Sequence, residues 1–229
     1  MKPARGSTRA IRVQKNRVRT ARVSGRRGLH EFLQVYNGLS GFDASTLGLT
    51  DYKTTYGEVS ESGIKTLADK FSQVAPIQTF PAGQKTFYDL GCGVGKILLG
   101  IAFLHPEIQV RGIEIVPDRV RYGQLARSRV QSKQIADRVQ ILHGSFTDPN
   151  LNLNNACWIF ISNLCLDDET QTALARKLES GCSKGCVVIC SRDIPFSSTS
   201  PFEKIDGAIP IQMTWSNSST CSMYRQVPG

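Results

Sequence analysis

A run of glycines at the junction of two patterns constrains this chain more than any other feature. Asp89-Leu-Gly91-Cys-Gly93-Val-Gly95 follows residues 86–90, an apolar and aromatic run that reads as a strand. It opens residues 96–104, which are apolar nearly all round and read as a buried helix. Glycines at such a junction let the backbone turn tightly and come close to a ligand. A second strand signal at 109–115 follows the helix. Strand, glycine loop, helix and strand in that order form the opening unit of an α/β sheet.

The alternation continues. A charged amphipathic helix is expected at 118–134, with Pro117 in its first turn, then strands at 138–142 and 157–161. A helix at 167–178 carries acids in its first turn, where the helix dipole favours them, and a strand follows at 186–190. Two weaker strands are expected at 209–215 and 221–227. Ahead of the loop, Ile64, Leu67, Ala68, Phe71 and Val74 fall at helical spacing, with Ser60 or Ser62 placed to cap the start. The expected fold is a mostly parallel seven-stranded sheet with helices on both faces.

Charge divides the chain. Residues 1–30 hold ten Lys and Arg and no acid, whereas the remaining 18 basic residues face 19 acidic ones. We therefore expect a basic disordered arm at 1–30 and a near-neutral domain at 31–229. Such an arm favours polyanions through phosphate contacts, although its Arg-rich, acid-free composition is also that of a mitochondrial presequence. The seven cysteines lack metal-site spacing, and Cys186 and Cys190 bracket an apolar run, so packing rather than a metal is expected. No apolar stretch approaches the roughly 20 residues of a membrane helix.

The acids around the loop indicate its ligand. Asp89 ends the first strand, where a carboxylate suits a cationic methionine group and would oppose a pyrophosphate. Glu114 ends the next strand and can accept hydrogen bonds from ribose hydroxyls. Ser145-Phe146 follows the third strand, and an aromatic there can stack on adenine. Ser162-Asn163 follows the fourth, at the ligand crevice. These positions together favour S-adenosylmethionine and a Rossmann-like class I methyltransferase fold.

Thr55-Tyr56-Gly57-Glu58-Val59-Ser60 precedes this series, and Trp158-Ile-Phe-Ile-Ser-Asn163 ends it. With the Phe87–Gly95 and Gly112–Glu114 motifs, the pattern resembles the non-SET histone lysine methyltransferases of the disruptor-of-telomeric-silencing (DOT1) class. That family methylates a lysine in the folded core of nucleosomal histone H3. The resemblance covers roughly residues 50–228. It implies that Tyr56, Glu58, Asn163 and Tyr224 serve catalysis. It also implies that Asp89, Gly91, Gly93, Gly95, Glu114, Ser145, Phe146 and Asn163 hold the cofactor, while Trp215 and Tyr224 wall the acceptor channel. No metal is implied.

Three positions depart from the family pattern: Lys96 stands for Gln, Ser145 for Asp and Ser162 for Asn. The first expectation is a nuclear enzyme on nucleosomes, with the arm on DNA phosphates. The alternatives are a non-histone protein lysine methyltransferase, in mitochondria if the arm is a presequence, and a cofactor-binding chromatin module with little turnover. RNA methylation is allowed by the arm but lacks a base-stacking aromatic series.

Overall fold

The computed structural model describes residues 27–50, 52–217 and 219–227. Most of the basic arm expected at 1–30 lies outside these residues. Its last four residues belong instead to helix α1, Arg27–Leu33. Leu29 of that helix is fully buried, and Phe32 stacks on Phe103 at 4.8 Å between ring centroids. The packed domain therefore begins ahead of residue 31.

Seven strands form one sheet: β1 (Thr86–Leu90), β2 (Gln109–Glu114), β3 (Val139–His143), β4 (Ala156–Ile161), β5 (Val187–Cys190), β6 (Phe202–Pro210) and β7 (Thr220–Gln226). Their spatial order is β3-β2-β1-β4-β5-β7-β6. The first five pair in parallel, whereas β7 enters antiparallel to both β5 and β6. The order reverses between β1 and β4, and ligands of open α/β sheets bind outside the carboxyl ends of strands at such a switch point.

The helices follow their patterns. In α2 (Glu61–Val74), the Ser60 side chain caps the start by accepting from the Gly63 N–H at 3.1 Å, and Ile64, Leu67 and Phe71 are buried. In α3 (Lys96–Leu104), Leu98, Leu99 and Ile101 are fully excluded from solvent, each contributing roughly 1.5–3 kcal/mol. The helix expected at 118–134 is broken. It forms α4 (Pro117–Ser128), then buries Val130, and resumes as the short α5 (Lys133–Ala136). Finally, α6 (Asp168–Gly181) is capped by the Asp167 side chain accepting from the Thr170 N–H.

Alternate strand residues serve two cores. Phe87, Trp158, Phe160, Val187 and Ile189 pack with the helices α1 to α4 on one face. Tyr88, Ile159, Ile161, Val188 and Cys190 pack on the other, where α6 is the one helix contributing buried residues among those described. Cys186 and Cys190 are buried, as their apolar setting led us to expect. No helix among the described residues is long and apolar enough to cross a membrane.

The C-terminal hairpin differs from expectation. The penultimate strand is Phe202–Pro210, not 209–215. Its face is largely polar and its ladder carries register shifts, so pairing with β7 rather than a hydrophobic period defines it. Residues 211–217 form an irregular stretch after β6 in which Met213 bridges back to Val59. That stretch carries Trp215.

Candidate active site

The glycine loop leaves β1 and turns back under β2. The N–H groups of Gly91 and Cys92 both donate to the Ile113 carbonyl, at 2.8 and 3.0 Å. Gly93 has φ +54°, and a Cβ there would collide with the Tyr56 ring. Glycine is needed at that position both for the turn and for the close approach. Gly95, at φ +79°, ends the loop as the N-cap of α3.

Two strand-end carboxylates face the same cavity but differ in their partners. Glu114 is anchored, its two oxygens accepting from the Gly93 N–H at 2.8 Å and the Val116 N–H at 2.9 Å. The Arg119 guanidinium lies 3.8 Å away. Each oxygen keeps a second acceptor site for a ligand hydroxyl. Asp89 is only 2% exposed and accepts no hydrogen bond among the described residues. Burial, with Glu114 adding repulsion, holds its carboxyl well above the usual carboxylate range. A buried carboxylate left this way is costly unless a cation or donor meets it. The sulfonium and ammonium groups of S-adenosylmethionine fit that demand.

A strap from the N-terminal side covers the loop. The Tyr56 hydroxyl donates to Glu58 Oε1 at 2.7 Å. Burial and then the Glu58 charge hold the Tyr56 phenol well above its ordinary value, which keeps it a donor. The second Glu58 oxygen pairs with Lys96 Nζ. Below the strap lies Arg119, only 6% exposed. It donates to the carbonyls of Gly41 at 3.2 Å and Thr54 at 2.8 Å, and sits 4.4 Å from the centre of the Tyr56 ring. One side chain of α4 thus fastens both the strap and Glu114. Beyond the strap, the Thr214 N–H donates to the Glu58 carbonyl at 2.8 Å. Trp215 lies flush on Gly57, where any Cβ would strike the indole.

These elements enclose a cavity of 410 Å³. It brings together Tyr56, Glu58, Asp89, Gly91 and Gly93 from the strap and loop. Glu114, Ser145, Phe146 and Trp215 complete the expected residues along its wall. Ser145 is turned aside, its hydroxyl 2.7 Å from the Thr147 hydroxyl, while Phe146 is half-buried at the rim.

Three expected residues are not brought to the cavity. Gly95 shapes the helix start beneath it. Asn163 is wholly buried: its amide donates to Gln171 Oε1 at 2.9 Å and the Arg192 carbonyl at 2.8 Å, and its oxygen accepts from the Arg192 N–H at 2.9 Å. Its carboxamide ties the end of β4 to α6 and to the loop after β5, and exposed Ser162 lines the cavity instead. Tyr224 pairs opposite Val188 on the second face of the sheet. Its hydroxyl donates to Asp193 at 3.0 Å, and its ring packs edge-on to Phe196. The one-residue difference between Met223 and Tyr224 decides which sheet face each occupies.

Sequence reasoning passed over Arg119 and Tyr36. Arg119 has no local signal, because its partners lie 65 and 78 residues away in the chain. Tyr36 has a buried hydroxyl with no hydrogen-bond partner among the described residues.

The sequence profile of the family described as "Histone methylation protein DOT1" matches residues 47–212. No curated protein sequence matches the chain. Among solved structures, the CcbJ methyltransferase from Streptomyces caelestis is similar with a TM-score of 0.54, 13% identity, and coverage of 74% of this chain and 91% of that one. A protein from Rickettsia typhi, PKMT2, solved with AdoHcy, aligns at TM-score 0.44 and 16% identity over 55% of this chain. An O-methyltransferase family 2 protein from Planctomyces limnophilus aligns at TM-score 0.49 and 16% identity over 73%. The chain spans only 24% and 62% of those last two proteins. The sheet order and the similarity to CcbJ place the fold among class I S-adenosylmethionine-dependent methyltransferases.

Proposed function

The chain belongs to the DOT1 histone methylation family, and from that premise we propose that it transfers methyl groups from S-adenosylmethionine to a lysine in the folded core of nucleosomal histone H3. The observation that carries the lysine reading is the cavity mouth. There the half-exposed Trp215 indole stands against Gly57, next to Glu58 in the chain, and Asp167 and Glu169 line the same cavity. An aromatic wall and acids suit an aliphatic chain ending in a cationic amine. The nucleosomal reading is supported by family membership and by the ten basic residues at 1–30, which suit phosphate contacts. It carries with it a location in the nucleus.

The cofactor supplies an electrophilic methyl on a sulfonium. The chain's part is to bind, orient and shield. Asp89 offers a charge to the cationic end, Glu114 offers acceptors to the ribose, and Phe146 offers a face to adenine. Tyr56 and Glu58 border the space between donor and acceptor, and Gly57 lets Trp215 close the wall against water. Much of the acceleration in such a displacement comes from alignment of the amine with the methyl. The residues implied for catalysis then reduce to Tyr56 and Glu58, while Asn163 and Tyr224 support the frame.

The test offers the full chain radiolabelled S-adenosylmethionine with intact nucleosomes, free core histones, a mitochondrial protein extract and total RNA. Label on H3 within nucleosomes, surviving removal of the histone tails, is expected. Label confined to mitochondrial proteins assigns the arm as a presequence and the acceptor as a non-histone lysine. Cofactor binding with no label anywhere leaves a non-catalytic chromatin module.

A further inference from the structure

Two groups beside the glycine loop lack the partner their chemistry calls for. One is the Asp89 carboxylate, which awaits a cation. The other is the Tyr36 hydroxyl, buried without a hydrogen-bond partner among the described residues and 3.6 Å from where a Cβ on Gly95 would stand. Lys96, the first residue of α3, follows the same loop and lines the cavity with Asp89. Its ammonium lies 5.7 Å from the centre of the Tyr36 ring and pairs with Glu58. Lys96 and Glu58 line both the main cavity and a smaller one of 320 Å³ behind it, so their ion pair stands as the partition between the two.

The bases around the main cavity are few. Arg119 is committed to two backbone carbonyls and to Glu114, and Lys53 is exposed at the mouth. Among the described residues, Lys96 is therefore the cation beside the loop that a ligand can recruit. The amino-acid end of the cofactor carries one positive and one negative charge. Asp89 complements the first, and the second requires a cation near the same loop.

We propose that Lys96 is the anchor for the cofactor's carboxylate, and that the cofactor takes it from Glu58. This rests on the reading of the cavity as an S-adenosylmethionine site. The Lys96 ammonium turns from one carboxylate to another while the Tyr36 ring keeps it seated by cation–π attraction. Glu58 retains the Tyr56 hydroxyl on one oxygen and is left with an uncompensated charge on the other. That charge faces the acceptor wall, where it draws in a cationic amine. Cofactor binding thereby prepares the acceptor side, a coupling of two ligands through one shared cation.

The test is calorimetry on the full chain with two ligands: S-adenosylhomocysteine, and its counterpart lacking only the carboxylate, 5′-(3-aminopropylthio)-5′-deoxyadenosine. Lys96→Met is expected to weaken the first tenfold or more and the second less than twofold. Lys96→Arg, which keeps the charge, restores most of the difference and controls for folding. Glu58→Gln can still accept from Tyr56 but cannot compete for Lys96, and it should tighten S-adenosylhomocysteine severalfold. Equal losses on both ligands in Lys96→Met, or none on either, overturn the carboxylate anchor while the cofactor reading stands. Weaker binding in Glu58→Gln overturns the exchange. Failure of the unaltered chain to bind either ligand overturns both readings.

Discussion

The carboxyl ends of β1 and β2 and those of β4 and β5 face the same crevice, yet they meet it in opposite states. At the first end the polar groups are held in waiting: Asp89 is buried without a partner, and Glu114 is fixed with acceptor capacity to spare. At the second, the polar groups are satisfied. Asn163 spends both amide donors on Gln171 and Arg192, and Tyr224 hydrogen-bonds Asp193. The difference teaches that polarity near a crevice does not make a ligand contact. An unmet demand does, because a group already paired loses as much as it gains by turning to a ligand.

The largest effect expected from this contrast is at Asp89. Asp89→Asn should weaken S-adenosylhomocysteine binding by roughly ten- to a hundredfold, about 1.4–2.8 kcal/mol. It should also raise the thermal midpoint of the ligand-free protein at neutral pH, because an amide cannot ionise and so escapes the cost of burying a carboxyl that is charged in the unfolded chain. The pH dependence has a definite sign. The folded carboxyl is raised, so its contribution to stability is full below the ordinary Asp value and is lost as pH rises toward the folded value. Cofactor affinity climbs through the same window, as the charged form becomes available to the cation. A fall of affinity with rising pH there would break the assignment.

Asn163 should show the reverse pattern. Asn163→Ala leaves Gln171 Oε1 and the Arg192 N–H without their side-chain partner, and denaturant titration should report a loss of about 1–3 kcal/mol. Turnover measured well below the unfolding range should stay within a few fold. A steep loss of turnover at unchanged stability would return Asn163 to the chemistry.

Trp215 tests the acceptor wall. Trp215→Ala should raise the acceptor KM by about tenfold, a loss of about 1.4 kcal/mol, with cofactor affinity unchanged. Loss of cofactor binding instead would mean that the indole covers the donor.

The smallest effect belongs to Tyr224. Tyr224→Phe removes one hydrogen bond to an Asp193 that also meets Lys204 and Ser222, and should cost under about 1 kcal/mol of stability with no change in kinetics. A kinetic defect in this variant would place the hydroxyl nearer the acceptor than its Asp193 contact allows.

Much of this was legible from residue types alone. The 86–90 strand, the glycine loop and the 96–104 helix fall where expected because each is set by its own neighbours: glycines at positive φ, and an apolar run too uniform for the surface. The C-terminal strand near 209–215 was displaced because an edge strand with bulges is defined by its partner's hydrogen bonds rather than by its own period. The 118–134 helix was read through a break between Ser128 and Lys133, where Val130 is buried.

Family resemblance singled out Tyr56-Gly57-Glu58, and the sequence by itself determined the α/β order, the loop and its two strand-end acids. Local backbone preference and hydrophobic period write those directly into neighbouring residues. Tertiary structure alone decided which polar groups stay open. Arg119 reaches carbonyls 65 and 78 residues away, Lys96 meets Glu58 at a separation of 38, and Asn163 closes on Arg192 at 29. Whether a side chain binds a ligand or a neighbour is settled by such distant partners, since hydrogen-bonding capacity is finite and is taken first by what the fold brings near.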